Sequence, residues 1–351
     1  MKSLLGLTPE EIQGLIQAKE RFRSRQIYHA LYTGIENFDA ITDLPLTMRQ
    51  ELSENFSIFT SKIDTSLDDE DGNCKLRIEL SDGLFTECVI LSDGTDRKTI
   101  CISSQVGCKM GCAFCRTADM GFKRNLTSGE ILEQFLIGQK LTGKLSNIVF
   151  MGMGEPFDNI DNLLKAISIL NDKNAIGLGA RRMTISTCGV VPGIQMLAKS
   201  PLEIRLAVSL NSAIEEKRRQ IMPITARYPL SELKAALKEF QKDKNKRFTF
   251  EYVLIKDFNM GDEDIMALRH ITSGLSVLVN LIPWNTVEGK PFQTPDRKDI
   301  NVFCSKLDRL GINYTLRKRK GFGVSGACGQ LAYKAKKKLV AKGLEPLTER
   351  I

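Results

Sequence analysis

Cys108-Lys109-Met110-Gly111-Cys112-Ala113-Phe114-Cys115 sets three thiols on one short segment. It comes just after Thr99-Ile100-Cys101-Ile102, which reads as a β-strand. Thiolates are soft ligands. Three at this spacing can hold three irons of a [4Fe–4S] cluster and leave the fourth iron without a protein ligand, open to substrate chemistry. A structural zinc loop is the other reading, and it needs a fourth ligand to close a tetrahedron. The chain has only two histidines, His29 and His270, in no metal-binding pair, so Cys101 or Cys188 would have to serve.

Beyond the cysteine loop, strand and helix patterns alternate. The strands are expected at Asn147–Met153, Met183–Thr187, Ile204–Leu210, Phe248–Ile255 and Val277–Ile282. The helices are expected at Ser128–Leu141, Asn162–Leu170, Leu230–Phe240, Asp262–Ile271 and Asp296–Leu310. Thr127-Ser128-Gly129-Glu130 supplies a capping box for the first of them. This order predicts an α/β fold with parallel strands and crossover helices. About six units fit, too few for a closed eight-fold barrel, so a partial (β/α)6 barrel is expected.

Upstream, residues 1–60 read as helices without strands: one after the cap at Thr8-Pro9, one from Ser24 to Gly34 and one after Pro45. Strict alternation in Lys75–Leu80, a turn at Asp82-Gly83 and a return strand over Leu84–Leu91 then predict β-hairpins. The expected organisation is an N-terminal helical accessory domain over 1–60, a β connector over 61–98, a core over 99–332 and a basic tail over 333–351.

The 351 residues include 50 Lys+Arg and 42 Asp+Glu, for a net charge of +8, with 42% hydrophobic and 26% charged residues. That is globular composition and excludes a disordered or collagen-like chain. No run approaches a membrane span, and the apolar run after Met1 is too short for a signal peptide. A soluble, cytoplasmic protein is expected. Nine cysteines in such a chain point to metal binding or catalysis rather than to a disulfide framework.

Cys-x-x-x-Cys-x-x-Cys at the end of a first strand resembles the radical S-adenosylmethionine (SAM) superfamily. Further segments are more specific: Ser103-Ser104-Gln105-Val106-Gly107, Met151-Gly152-Met153-Gly154-Glu155-Pro156, Ser186-Thr187-Cys188-Gly189-Val190-Val191-Pro192, Leu281-Ile282-Pro283-Trp284-Asn285 and Ala327-Cys328-Gly329-Gln330-Leu331. In this order they resemble the RlmN family of adenine-C2 RNA methyltransferases over roughly residues 20–332. The resemblance implies that Cys108, Cys112 and Cys115 ligate a [4Fe–4S] cluster whose open iron chelates SAM. It also implies that Gly154 and Glu155 receive the SAM amino group, and that Ser186, Ser209, Leu210, Asn211 and Asn285 contact SAM. Read as a dinucleotide loop, Gly152-x-Gly154 fails because Phe157 stands where a third Gly is needed. The family usually has Ser-Leu-His where this chain has Ser209-Leu210-Asn211, and Asn cannot carry a charge.

The resemblance also divides labour between two thiols. Cys328, in a small-residue segment suited to a loop, is implied to take a methyl from one SAM. A radical from a second SAM activates that methyl for addition to adenine C2, and Cys101 resolves the adduct through a transient disulfide. Glu87 matches the family's proton acceptor. Cys74, Cys88, Cys188 and Cys304 read as inert buried thiols. The implied substrates are 23S rRNA and tRNA next to the anticodon, with an electron donor such as flavodoxin or ferredoxin, and a monomer is expected. Basic runs at 242–247, 317–320 and 334–338 suit RNA phosphates. The alternatives are a Cfr-type enzyme methylating C8 of the same rRNA adenine, and a zinc-stabilised RNA-binding protein without turnover.

Overall fold

The computed structural model describes residues 2–17, 20–94, 96–244, 247–317, 326 and 329–332. Its main sheet has ten strands: β1 (Lys62–Asp68), β2 (Cys74–Glu79), β3 (Phe85–Ser92), β4 (Lys98–Cys101), β5 (Asn147–Phe150), β6 (Met183–Thr187), β7 (Arg205–Ser209), β8 (Phe248–Leu254), β9 (Val277–Pro283) and β10 (Tyr314–Leu316). They lie side by side in chain order, with β1 and β10 at the two edges. From β1 to β4 each pairing is antiparallel. From β4 to β10 each is parallel.

A parallel neighbour demands a crossover. The helices Ser128–Thr142, Ile160–Asn171, Val191–Lys199, Leu230–Lys244, Asp262–Thr272 and Arg297–Arg309 follow β4 to β9 in turn. Six β/α units therefore form the partial barrel expected from the sequence, and β10 extends it by one strand. The antiparallel ladder runs on into the same sheet through the β3–β4 pairing.

Strand β8 shows how the sequence builds the two faces. Phe248, Phe250, Tyr252 and Leu254 are buried, and Tyr252 stacks on Phe303 of the last crossover helix at 6.2 Å. The alternate residues Thr249, Glu251 and Val253 line the barrel interior, as the two-residue period of a strand requires. The capping boxes at Thr8/Glu11 and Thr127/Glu130 are both formed.

The N-terminal segment holds three α-helices, Pro9–Ile16, Arg21–Tyr32 and Leu46–Asn55, as expected. It is not free of strands, however: Lys2–Ser3 pairs with Phe56–Ser57 in parallel. Two-residue strands carry no readable period. Here burial of Leu4 and Leu5 and the bond from the Ser3 hydroxyl to the Ile58 carbonyl, 2.8 Å, fix them. Tyr28 joins the segment to the core by donating to Asp172 at 2.9 Å.

Buried Glu133, on the first crossover helix, accepts four hydrogen bonds, from the backbone and hydroxyl groups of both Thr60 and Ser61. Removing the acceptor leaves the donors of the two half-buried residues without their charged partner. Glu133→Ala is therefore expected to lower unfolding free energy by about 3 kcal/mol, measured by denaturant titration of the apoprotein. A loss below about 1 kcal/mol would show that water replaces the carboxylate.

Candidate active site

Strand β4 ends at Cys101, and the chain then turns through Ser103-Ser104-Gln105 into a short ribbon, Gln105–Gly107 against Phe122–Asn125. The three cysteines occupy the loop between these ribbon strands. Gly107, at φ +75, lets the ribbon close: a Cβ there would lie 1.7 Å from the Gly121 carbonyl oxygen. Within the loop the Cys115 amide donates to the Cys112 carbonyl at 3.1 Å. The Ala113 amide bonds the Ile221 carbonyl at 2.9 Å, and Trp284, the chain's single tryptophan, points its indole N–H at the Phe114 carbonyl, 3.4 Å away.

The Ser103–Gln105 turn braces the neighbouring strand end. Ser103 bonds the Glu87 carbonyl and receives the Met153 amide at 2.8 Å. The Gln105 side chain accepts from the Glu155 amide at 2.9 Å. This packing explains why β5 stops at Phe150 rather than at Met153. Gly154 leaves the ladder at φ +101, and a Cβ on it would meet Gln105 at 2.6 Å.

A recess of about 970 Å³, counting its open mouth, lies over the C-terminal ends of the parallel strands. Its wall gathers Cys108, Cys112, Cys115, Gly154, Glu155, Ser186, Ser209, Asn211 and Asn285, together with Thr187, Met222, Trp284 and Gly329. A second lumen toward the strand N-termini, about 2070 Å³ counting the open solvent within it, shares Met151 and Glu251 with it. Strand C-termini are where a parallel α/β fold places its site.

Burial pushes the Cys108 thiol up to about 12, with neighbouring Glu155 and Cys115 adding repulsion. It raises Cys112 and Cys115 too, and at Cys112 the charges of Cys115 and Cys108 add to it. Thiols so placed favour the ionised form only when a cation binds them. Among the described residues no group of three His, Cys, Asp or Glu side chains is arranged to hold a single metal ion. A four-iron cluster is wider and takes one thiolate at each of three corners. Three soft donors on one loop, facing a recess with room beside them, fit that group.

The Glu155 carboxylate is fully buried and braced by backbone donors, Cys188 at 2.8 Å and Phe157 at 3.1 Å. Burial raises its pKa while those bonds oppose the rise. It thus ties the β5 end to the β6 end. Leu210 points its side chain into the core, and its carbonyl accepts from Arg218 at 3.1 Å. Asn211 takes a left-handed backbone at φ +55, a conformation Asn tolerates well. Its side-chain Oδ1 accepts from the Val253 amide at 2.9 Å, and its side-chain Nδ2 donates toward the Met222 sulfur at 3.2 Å. At this position Asn holds β7 to β8 while lining the recess.

Glu87 is not on the recess wall. It sits on β3, buried, with Lys75 Nζ at 3.1 Å. Burial raises its pKa and the Lys75 ammonium opposes that rise. Cys101 is buried beside Val89, Met153 and Leu331. Cys328 lies outside the described residues, as do 318–320 and the basic tail. Its neighbour Gly329 accepts from the Arg116 amide at 2.8 Å, and Leu331 accepts from the Thr117 hydroxyl at 2.6 Å. The segment after Cys328 thus lies against the cysteine loop.

Two residues that line or floor the site were not singled out from the sequence. Glu251 alternates correctly with the apolar residues of β8 and so faces inward, where Asn280 donates to it at 2.8 Å. Arg218 sits in a charged run, yet at helical spacing from Ile214 and Ile221 it falls on their apolar face.

The sequence profile of the radical SAM superfamily matches residues 102–269. A probable dual-specificity RNA methyltransferase RlmN from Treponema denticola is 45% identical over 329 residues, 94% of this chain and 95% of the relative. The dual-specificity RNA methyltransferase RlmN of Nitratiruptor is 41% identical over 95% of this chain and 99% of its own length. The crystal structure of a radical SAM methyltransferase from Sphaerobacter thermophilus matches with TM-score 0.89 and 38% identity, covering 94% of this chain and 99% of that one. With near full-length similarity in sequence and in fold, the chain belongs to the RlmN family of radical SAM RNA methyltransferases.

Proposed function

We propose that this protein methylates C2 of an adenine in 23S rRNA and of the adenosine next to the anticodon in tRNA, through a methylated cysteine. What supports the reading is one recess that joins the three-thiol loop to Gly154, Ser186, Ser209 and Asn285, with Gly329 of the Cys328 segment on its wall.

Membership of the radical SAM superfamily implies SAM and a [4Fe–4S] cluster. Cys108, Cys112 and Cys115 are the ligands in this reading, and Gly154, Glu155, Ser186, Ser209, Leu210, Asn211 and Asn285 form the SAM site. Leu210 can act there through its backbone, since its side chain is in the core. When bound, these groups supply a methyl and a 5′-deoxyadenosyl radical. The chain's residues do the rest. Adenine C2 is an sp² C–H carbon without nucleophilic character, so a Cys328 thiolate, which has it, accepts the methyl first. Once a hydrogen atom has been taken from that methyl, its carbon bonds C2. The ring then gives its unpaired electron back to the oxidised cluster and its C2 proton to Glu87, which is reached from behind the recess wall where it pairs with Lys75. Cys101, as thiolate, attacks the Cys328 sulfur. The S–CH2 bond breaks with its electrons going to the base, whose methylene takes up a proton to become the methyl, and a disulfide is left that must be reduced.

The target base must be unstacked to reach the recess, and the lumen beneath it offers space. Phosphate contacts supply affinity without sequence choice. Replacing Lys336, Lys337 and Lys338 by Ala is expected to flatten the log–log salt dependence of RNA binding by about 2 units, measured by titration at several salt concentrations. An unchanged slope would make these lysines a solvated face. The protein acts as a cytoplasmic monomer that receives electrons from a flavodoxin- or ferredoxin-like donor. Among the described residues no helix is long and apolar enough to cross a membrane.

The deciding experiment is mass spectrometry of nucleosides from 23S rRNA and tRNA of deletion and complemented cells. Loss and return of 2-methyladenosine in both is expected. 8-Methyladenosine would make the enzyme Cfr-type. Stoichiometric zinc without iron in anaerobically purified protein would point to a non-catalytic RNA-binding module.

A further inference from the structure

Only two cations are buried among the described residues, Lys75 and Arg218. Lys75 has Glu87. Arg218, 1% exposed and the largest fully buried side chain, forms no ion pair with any described carboxylate. Its guanidinium donates to neutral oxygens behind the recess, two of them on the lining residues Cys188 and Ser209: Leu210 at 3.1 Å, Thr225 at 2.6 Å, Cys188 at 2.6 Å and Ser209 at 3.2 Å. Glu215, which acts on it electrostatically, and Glu155, joined to it through Cys188, are otherwise engaged. Glu215 accepts from the Leu230 amide and faces Arg219, and Glu155 accepts from the amides of Cys188 and Phe157.

Burying a charge without a counter-charge is costly, so a cation held this way calls for an anion. The cysteine loop rests on the segment that carries Arg218: Ala113 bonds Ile221, and Gly111 packs on Pro223. Arg218 also acts electrostatically on Cys112 and Cys188. A [4Fe–4S] core with three thiolates is net negative, and one unit more so after reduction.

We propose that Arg218 is the buried counter-ion of the three-thiolate cluster site and that its charge favours the reduced cluster. It is a positioning residue for strand ends β6 and β7 as well, but the charge has a separate purpose. The proposal rests on Cys108, Cys112 and Cys115 as ligands, and the test separates the two claims.

Full-length wild type, Arg218→Lys and Arg218→Gln are reconstituted anaerobically, iron is counted, and reduction is followed by EPR at poised potentials. Arg218→Gln is expected to show about a tenfold lower ratio of reduced to oxidised cluster at a given potential, a 59 mV drop for a one-electron couple. Arg218→Lys is expected to stay within about twofold of wild type. In the apoprotein the charge is a liability, so Arg218→Gln should unfold at no lower temperature than Arg218→Lys, and the order should reverse after cluster loading. An Arg218→Gln protein that folds but loses iron that Arg218→Lys retains also supports the proposal. Equal midpoints in all three proteins would overturn it. So would an Arg218→Gln protein less stable than Arg218→Lys in both states, because the cation would then serve only the carbonyls. A wild type without iron would instead refute the ligand assignment and leave Arg218 without its partner.

Discussion

Cys112→Ala should lose most of its iron and all 5′-deoxyadenosine production while keeping its secondary structure. In the proposed site each thiolate holds one corner of the cluster, so deleting one of three leaves two corners unheld rather than weakening the site by a third. The fold has little stake in this side chain. The loop backbone is held by the Cys115–Cys112, Ala113–Ile221 and Trp284–Phe114 hydrogen bonds, none of which uses the Cys112 sulfur. Burial raises the Cys112 thiol, so in the apoprotein an apolar Ala there costs little. The control is Cys304→Ala, on the last crossover helix, away from the recess: it should keep full iron and full SAM cleavage. Iron by colorimetric assay, the visible absorbance of the cluster and far-ultraviolet circular dichroism decide the matter. If Cys112→Ala kept full iron and SAM cleavage, the ligand assignment would be wrong.

How far the sequence carried the reading depends on where each feature gets its energy. The crossover helices were legible because each must bury one stripe: Ser128–Thr142 and Asp262–Thr272 begin and end within a residue of expectation. The capping boxes at Thr8 and Thr127 are local chemistry and were read as such. The two-residue pairing of Lys2–Ser3 with Phe56–Ser57 was not legible, since it is imposed by distant packing. The helix Val191–Lys199 was present in the quoted Val190-Val191-Pro192 segment, with Pro in its first turn, but its short length gave little periodicity. At the site, the thiol spacing announced itself, whereas Glu251 and Arg218 look like ordinary charged residues. Their alternation with Phe250 and Tyr252, and their spacing from Ile214 and Ile221, were the available signals. A charged residue on an apolar face is a candidate for the site floor. Nothing in the sequence marks the role of Asn211, whose side-chain oxygen bonds the Val253 amide on the neighbouring strand.

Cys328→Ala and Cys101→Ala are both expected to abolish methylated product, but only Cys101→Ala should leave the protein covalently bonded to RNA. In the proposed sequence Cys328 carries the methyl, so without it no carbon is delivered and no adduct forms. Cys101 acts only after the carbon–carbon bond exists, so without it Cys328 still accepts a methyl and still attacks the base, and the reaction stops there. The surroundings of Cys101 suit that late role. It is buried against Met153 and Leu331, and Leu331 is three residues beyond Cys328 on a segment pinned to the cysteine loop by the Arg116–Gly329 and Thr117–Leu331 bonds. A resolving thiol held beside its partner's segment attacks within one molecule, with the advantage in effective concentration that proximity gives. The measurement is a denaturing gel of anaerobic reactions with labelled RNA. Cys101→Ala should give a shifted band approaching one RNA per active enzyme, and Cys328→Ala and the double variant should give none. Mass spectrometry of the shifted band should place a methylene bridge on the peptide containing Cys328. Normal turnover by Cys101→Ala, or two inactive variants without an adduct, would end the proposed division of labour between the thiols. Direct methyl transfer to adenine predicts no adduct in any variant, so the double variant fixes the background against which the band is judged.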